Sequence, residues 1–178
     1  TSLAWANEPN DEFVIMEYHF TNDGDEALPE YYAGIFCDFD VGANAATNEG
    51  NTDLDRWLIW INSPGGPYFG IALLGDTTPS NVTLVHNPTY VYPYAAIDNY
   101  WKANFLNGAT TVHETDAPDD WSAVCAGVTS LEANGGEATV AFAMVYGDNM
   151  DDLLANADAA EAAYNPSTPI SEDTPFKV

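Results

Sequence analysis

The feature that most restricts this chain is its punctuation. Short runs of β-branched, aromatic and other apolar residues recur at 13–20, 31–39, 57–61, 68–74, 82–86, 89–92, 110–113, 122–126 and 137–146, separated by Pro, Gly and Asn turns. Runs of that length, cut by turn residues at such short intervals, belong to antiparallel strands. Their number predicts an all-β fold, an antiparallel β-sandwich of jelly-roll or Ig-like type. In the run 31–39 a period of two puts Ala33, Ile35, Cys37 and Phe39 on one face and Tyr32, Gly34, Phe36 and Asp38 on the other. One stretch breaks the pattern. Over 148–164, Met150, Leu153, Leu154, Ala157, Ala160 and Tyr164 fall at helical spacing, and Asp148, Asp151 and Asp152 crowd the beginning, where the helix dipole favours anions. The expectation is a sandwich with one C-terminal α-helix.

With 178 residues the chain is sized for one domain, expected over 12–164 between an extended N-terminal segment, 1–11, and a linker or tail, 165–178, that holds three prolines. Against 28 Asp and Glu stand only Arg56, Lys102 and Lys177, a net charge of −25. So few cations exclude phosphate-backbone binding, hence nucleic acid, and disfavour an anionic membrane surface. No apolar stretch approaches the roughly 20 residues of a membrane span, so no membrane insertion is expected. Such acidity suits a salty medium, bound divalent cations or a surface selected for solubility, all outside an ordinary cytosol. The start at Thr1, with no basic-then-apolar leader, is read as a mature secreted product, extracellular or at a cell surface.

Several stretches carry a resemblance. They are Phe13-Val14-Ile15 through Glu17-Tyr18 to Asn22, then Tyr32-Ala33-Gly34-Ile35-Phe36 leading into Asp38-Phe39-Asp40, then Gly65-Gly66-Pro67-Tyr68 and Gly70-Ile71-Ala72-Leu73-Leu74. Ala138-Thr139-Val140-Ala141-Phe142-Ala143 and Asp152 through Ala160 complete them. Together they resemble a β-rich region that recurs in secreted bacterial proteins, often beside subtilisin-like or other peptidase domains and ahead of a C-terminal sorting domain. The resemblance implies a non-catalytic extracellular module and transfers no peptidase activity. This chain departs from the pattern in its scarcity of basic residues and its two cysteines.

Asp38 and Asp40 alternate with Phe39, so both carboxylates project from one side of a strand end, and Asp53 and Asp55 repeat the spacing after an Asn-rich loop. Hard oxygen ligands at this density suit calcium, although the ligand order of an EF-hand is absent. A solvated acidic edge is the alternative for these four, and it is the expectation for Glu114, Asp116, Asp119 and Asp120. His19, His86 and His113 show no zinc spacing, and there is no nucleophile elbow or phosphate loop, so the chain is read as no enzyme. Tyr92, Tyr94, Tyr100 and Trp101 are candidates for stacking on a glycan if exposed, or for ordinary half-inward packing. Cys37 and Cys125 are read either as a disulfide or as two buried thiols. Leu3 and Trp5 either fold back on their own sheet or dock on a neighbour's edge, the second building a homo-oligomer or filament. The functional expectation is a self-assembling structural or interaction module, with carbohydrate binding or a peptidase accessory domain as the alternative.

Overall fold

The computed structural model describes residues 1–94, 97–164 and 176–177, with the backbone alone at 94, 176 and 177. The fold is mostly β, with two antiparallel sheets and a C-terminal helix. In chain order the strands are β1 Ser2–Ala4, β2 Phe13–Asn22, β3 Leu28–Cys37, β4 Glu49–Asp53, β5 Leu58–Asn62, β6 Tyr68–Leu74 and β7 Thr78–His86. Two short helices follow, α1 Asn87–Tyr90 and α2 Asn99–Leu106; then come β8 Trp121–Leu131, β9 Gly136–Gly147, α3 Met150–Tyr164 and β10 Phe176–Lys177. One sheet runs β10-β1-β2-β9-β6-β5-β4 and the other β3-β8-β7.

Strand alternation sorts the apolar residues into layers. Ile59, Ile61, Ile71, Leu73, Val140 and Phe142 of the large sheet meet Ala33, Val82, Leu84, Ala123 and Cys125 of the small one in a shared core. The residues between them face outward. On the large sheet Leu58, Trp60, Ala72, Leu74, Ala141, Ala143 and Val145 are covered by Leu153, Ala157 and Ala160 of α3. On the small sheet Val85, Val124 and Ala126 are covered by Phe105 of α2. The small sheet on one side and α3 on the other bury both faces of β5 and β6, which is why they read as unbroken apolar runs.

Helix α3 starts where its polar groups can be satisfied. Asn149 Oδ1 accepts the Asp152 amide at 3.1 Å and Asp152 Oδ2 accepts the Asp148 amide at 2.8 Å, a reciprocal cap. Its start presses on the end of β9 so closely that only glycine fits at 147, where a Cβ would lie 2.4 Å from the Leu153 nitrogen.

Two strand expectations are corrected. Residues 89–92 are not a strand: α1 and a 3-10 turn at Tyr92–Tyr94 occupy this stretch, because Pro88 sits at the start of a helical turn and the Val91 amide bonds back to the Asn87 carbonyl. Residues 110–113 form no strand of their own, but run along β7 through Leu84 N–H to the Val112 carbonyl, 2.8 Å, and Val112 N–H to Thr83 Oγ1, 2.8 Å. The N-terminal segment joins the large sheet through β1. Leu3 stands opposite Ile15 of β2 and Lys177 of β10, and Leu3 and Trp5 pack on the cluster beneath α3, with the Trp5 ring 5.4 Å from that of Phe13. Of the two readings for Leu3 and Trp5, the structure takes folding back, because their own sheet supplies both a backbone partner and an apolar bed. The tail expected over 165–178 lies outside the described residues except for β10.

Candidate metal centre

The register of the small sheet builds an acidic end. Cys37 stands opposite Ala123, so the same antiparallel register, carried past the end of β3, sets Asp38 against Ser122 and Asp40 against Asp120. Asp38, Asp40 and Asp120 offer carboxylate oxygens within 4.8 Å of one another; the first two are exposed and the third half-buried. Among the described residues this is the one group of three or more acidic, His or Cys side chains close enough to share a cation.

Two buried asparagines position it. Asn48, 1% exposed, receives the Val41 amide at 3.0 Å and donates to the Val41 carbonyl at 2.7 Å, while its own carbonyl accepts the Asp119 amide at 3.1 Å. The loop that follows Asp40 is thereby fixed to the strand entry that carries Asp120. Asn87, fully buried, donates from Nδ2 to Asp38 Oδ1 and Asp120 Oδ1, both at 2.7 Å, and its backbone N–H bonds to the Asp120 carbonyl at 3.0 Å. Ser122 Oγ lies 2.9 Å from Asp38 Oδ1 and 2.7 Å from Asn87 Oδ1, two acceptors for one hydroxyl hydrogen. Tyr92 donates its hydroxyl to Asp120 Oδ2, and that bond holds the phenol's pKa up to about 12, with burial and the charges of Asp120 and Asp38 adding to it.

Beside this end the His86 ring sits between Thr89 Oγ1, 2.7 Å from Nδ1, and Asp119 Oδ2, 3.0 Å from Nε2, and rests on Trp121 at 4.8 Å. Thr89 is one helical turn beyond His86, so this contact belongs to the start of α1. The His86 bond, joined by the Asp120 amide, lowers the Asp119 pKa below the usual carboxylate value.

The sequence-derived sites divide. Asp38 and Asp40 stand together, whereas Asp53 and Asp55 do not join them. Asp53 Oδ1 accepts the Asp55 and Arg56 amides, and its Oδ2 binds Arg56 Nη1 at 2.7 Å, which closes the turn between β4 and β5. Arg56 then reaches α3 through a two-pronged contact with Asp158, 2.8 and 2.9 Å. Asp120, assigned by sequence to a solvated loop, takes the third position.

The four aromatic candidates also part. Tyr92 belongs to the acidic end, Tyr94 lies in the 3-10 turn, and Tyr100 and Trp101 lie on α2. Tyr100 is 66% exposed, but its ring meets Trp101 edge-on at 74°, while Trp101 is stacked on Phe105 at 6.2 Å and set edge-on to Tyr90 at 4.8 Å. This is an edge-to-face cluster and not a flat platform. Of the two readings for Cys37 and Cys125 the structure has the free thiols: their cross-strand partners are Ala123 and Ile35, so the two stand diagonally and not directly opposite. Burial, then the charge of Asp38, pushes the Cys37 thiol up to about 11; burial, then Cys37, raises Cys125 further.

No protein-family model matches the chain, and a search of curated proteins finds no relative of it. No helix among the described residues is long and apolar enough to cross a membrane.

Proposed function

We propose that this chain is a non-enzymatic structural or interaction module of a secreted protein, and that calcium bound by Asp38, Asp40 and Asp120 locks one end of its two sheets. The observation that carries the reading is the meeting of three carboxylates from two chain segments at one strand end. The donor set fits the ion: all oxygen, negatively charged, open to solvent for water ligands, and without the sulfur or imidazole that softer metals prefer. A cation also resolves the local proton shortage, because Ser122 can then donate to Asn87 while Asp38 Oδ1 turns to the metal. The extracellular setting rests on the acidity of the chain and on its resemblance to regions of secreted bacterial proteins. Within the sandwich-like class the jelly-roll type is favoured by the nested pairing: β2 with β9 in one sheet, β3 with β8 in the other, β6 beside β9 and β7 beside β8.

Extracellular calcium sites have dissociation constants of about 0.1 to 1 mM, so ~10 mM calcium adds about 1.4 to 2.7 kcal/mol to stability. Thermal melting with calcium, with magnesium and with sodium chloride of equal ionic strength tests this. A rise specific to calcium supports the site; equal rises in all three assign the acidity to screening alone.

A further inference from the structure

The outer face of the small sheet is only partly covered by α2. Gly34 and Phe36 of β3 stand opposite Ala126 and Val124 of β8, and between these residues and α2 lies an open-sided cavity of about 410 Å³. Phe36, Val124, Phe105, Leu106 and Val91 wall it, and its volume is that of a small-molecule site. Glycine at 34 lets α2 sit this close, since a Cβ there would fall 2.5 Å from Leu106 Cδ2. Phe36 is 40% exposed, leaving one ring of the wall open to an incoming molecule.

The rim carries Lys102, one of three Lys and Arg residues in the chain. Among the described residues Arg56 is bound to two carboxylates, whereas Lys102 forms no ion pair despite the acidic excess. An ammonium left unpaired beside an apolar cavity, in a chain of net charge −25, is a complementary pair of surfaces for a ligand with one apolar part and one negative charge. We propose that this cavity binds a medium-chain alkyl carboxylate, with the alkyl chain against Phe36, Val124 and Phe105 and the carboxylate at Lys102 Nζ. A polyanion does not fit, because one lysine is a single point charge and the rest of the surface repels further negative charge. The inference is independent of the calcium reading and uses none of its residues.

Calorimetric titration below the micellar range, with decanoate, decanol and decyltrimethylammonium as probes, tests it on the full chain. Decanoate binds one site on the wild type, decanol binds it more weakly, and decyltrimethylammonium does not compete. Lys102→Met, at an exposed helix position, weakens decanoate about tenfold and leaves decanol unchanged. Phe36→Ala weakens both probes, and circular dichroism checks that each variant keeps its fold. Equal decanoate affinity in wild type and Lys102→Met overturns the proposal, as does no decanoate binding in wild type. So does a concentration-dependent dimer that Phe36→Ala disperses in the absence of any decanoate binding, because the cavity then receives a second copy of the chain.

Discussion

Asn48 places both ends of its side-chain amide on Val41 while its backbone carbonyl accepts the Asp119 amide, and so it bridges the loop after Asp40 and the entry to β8. Truncation at this position strands a buried N–H and a buried C=O together, so Asn48→Ala is expected to cost about 2 to 3 kcal/mol in urea unfolding. The same change should weaken calcium, since Asp40 loses its fixed place relative to Asp120. The two cysteines make a different prediction. With both thiols raised by burial, neither is a good nucleophile near neutral pH, so a thiol reagent applied to the native protein should leave Cys125 unmodified and react slowly at Cys37. Two thiols should react promptly after denaturation without reductant; a chain that yields none carries the bridge after all. At this scale the sequence was only half legible. The Asp38 and Asp40 spacing marks the strand end where carboxylates gather, but Asp120 joins them through pairing between segments some eighty positions apart, which no local spacing encodes. Asp53 and Asp55 copy the same spacing, but Asp53 is taken by Arg56 and by the Asp55 amide in the turn after β4.

At the scale of elements, strands with apolar alternation and the helix α3 were readable because burial imposes periods of two and 3.6 on the chain. The stretch 87–106 was not, for two reasons. Its alternating tyrosines mimic a strand while Pro88 starts a helical turn, and α2 buries only Phe105 fully, which leaves too weak an apolar stripe to mark a helix. The docking of α3 offers the sharpest test of an element. At Gly147 an added methyl group meets Leu153 backbone atoms at 2.4 and 2.6 Å, which cannot swing aside as a side-chain tip would. Gly147→Ala should therefore cost about 2 to 3 kcal/mol. Gly65→Ala, where nothing stands within 4 Å and only a φ of +86° opposes the substitution, should cost about 1 to 2 kcal/mol. Urea titration of both variants separates steric from conformational cost, and equal losses would mean that α3 yields to the methyl group.

For the whole molecule, charge decides the response to solution conditions. Burial pushes the Asp53 carboxyl up, but Arg56 and the amides of Arg56 and Asp55 outweigh it, so its pKa is lowered in the folded state; Asp119 is lowered by His86 and the Asp120 amide. A depressed carboxylate adds stability that is complete above its unfolded value of about 3.9 and is lost as the pH falls through the folded value. Unfolding followed between about pH 5 and pH 2 at fixed ionic strength should show stability falling with acid, and Arg56→Met should flatten the part that belongs to Asp53. An unchanged slope in that variant would remove Asp53 from the account.

Calcium binding by Asp38, Asp40 and Asp120 is read out by calcium titration calorimetry on the wild type, Asp120→Asn and Asp55→Asn. One saturable site is expected, with a dissociation constant of about 0.1 to 1 mM, weakened about tenfold or more by Asp120→Asn and unaffected by Asp55→Asn. Equal binding by wild type and Asp120→Asn, or only unsaturable uptake that follows ionic strength, would contradict it.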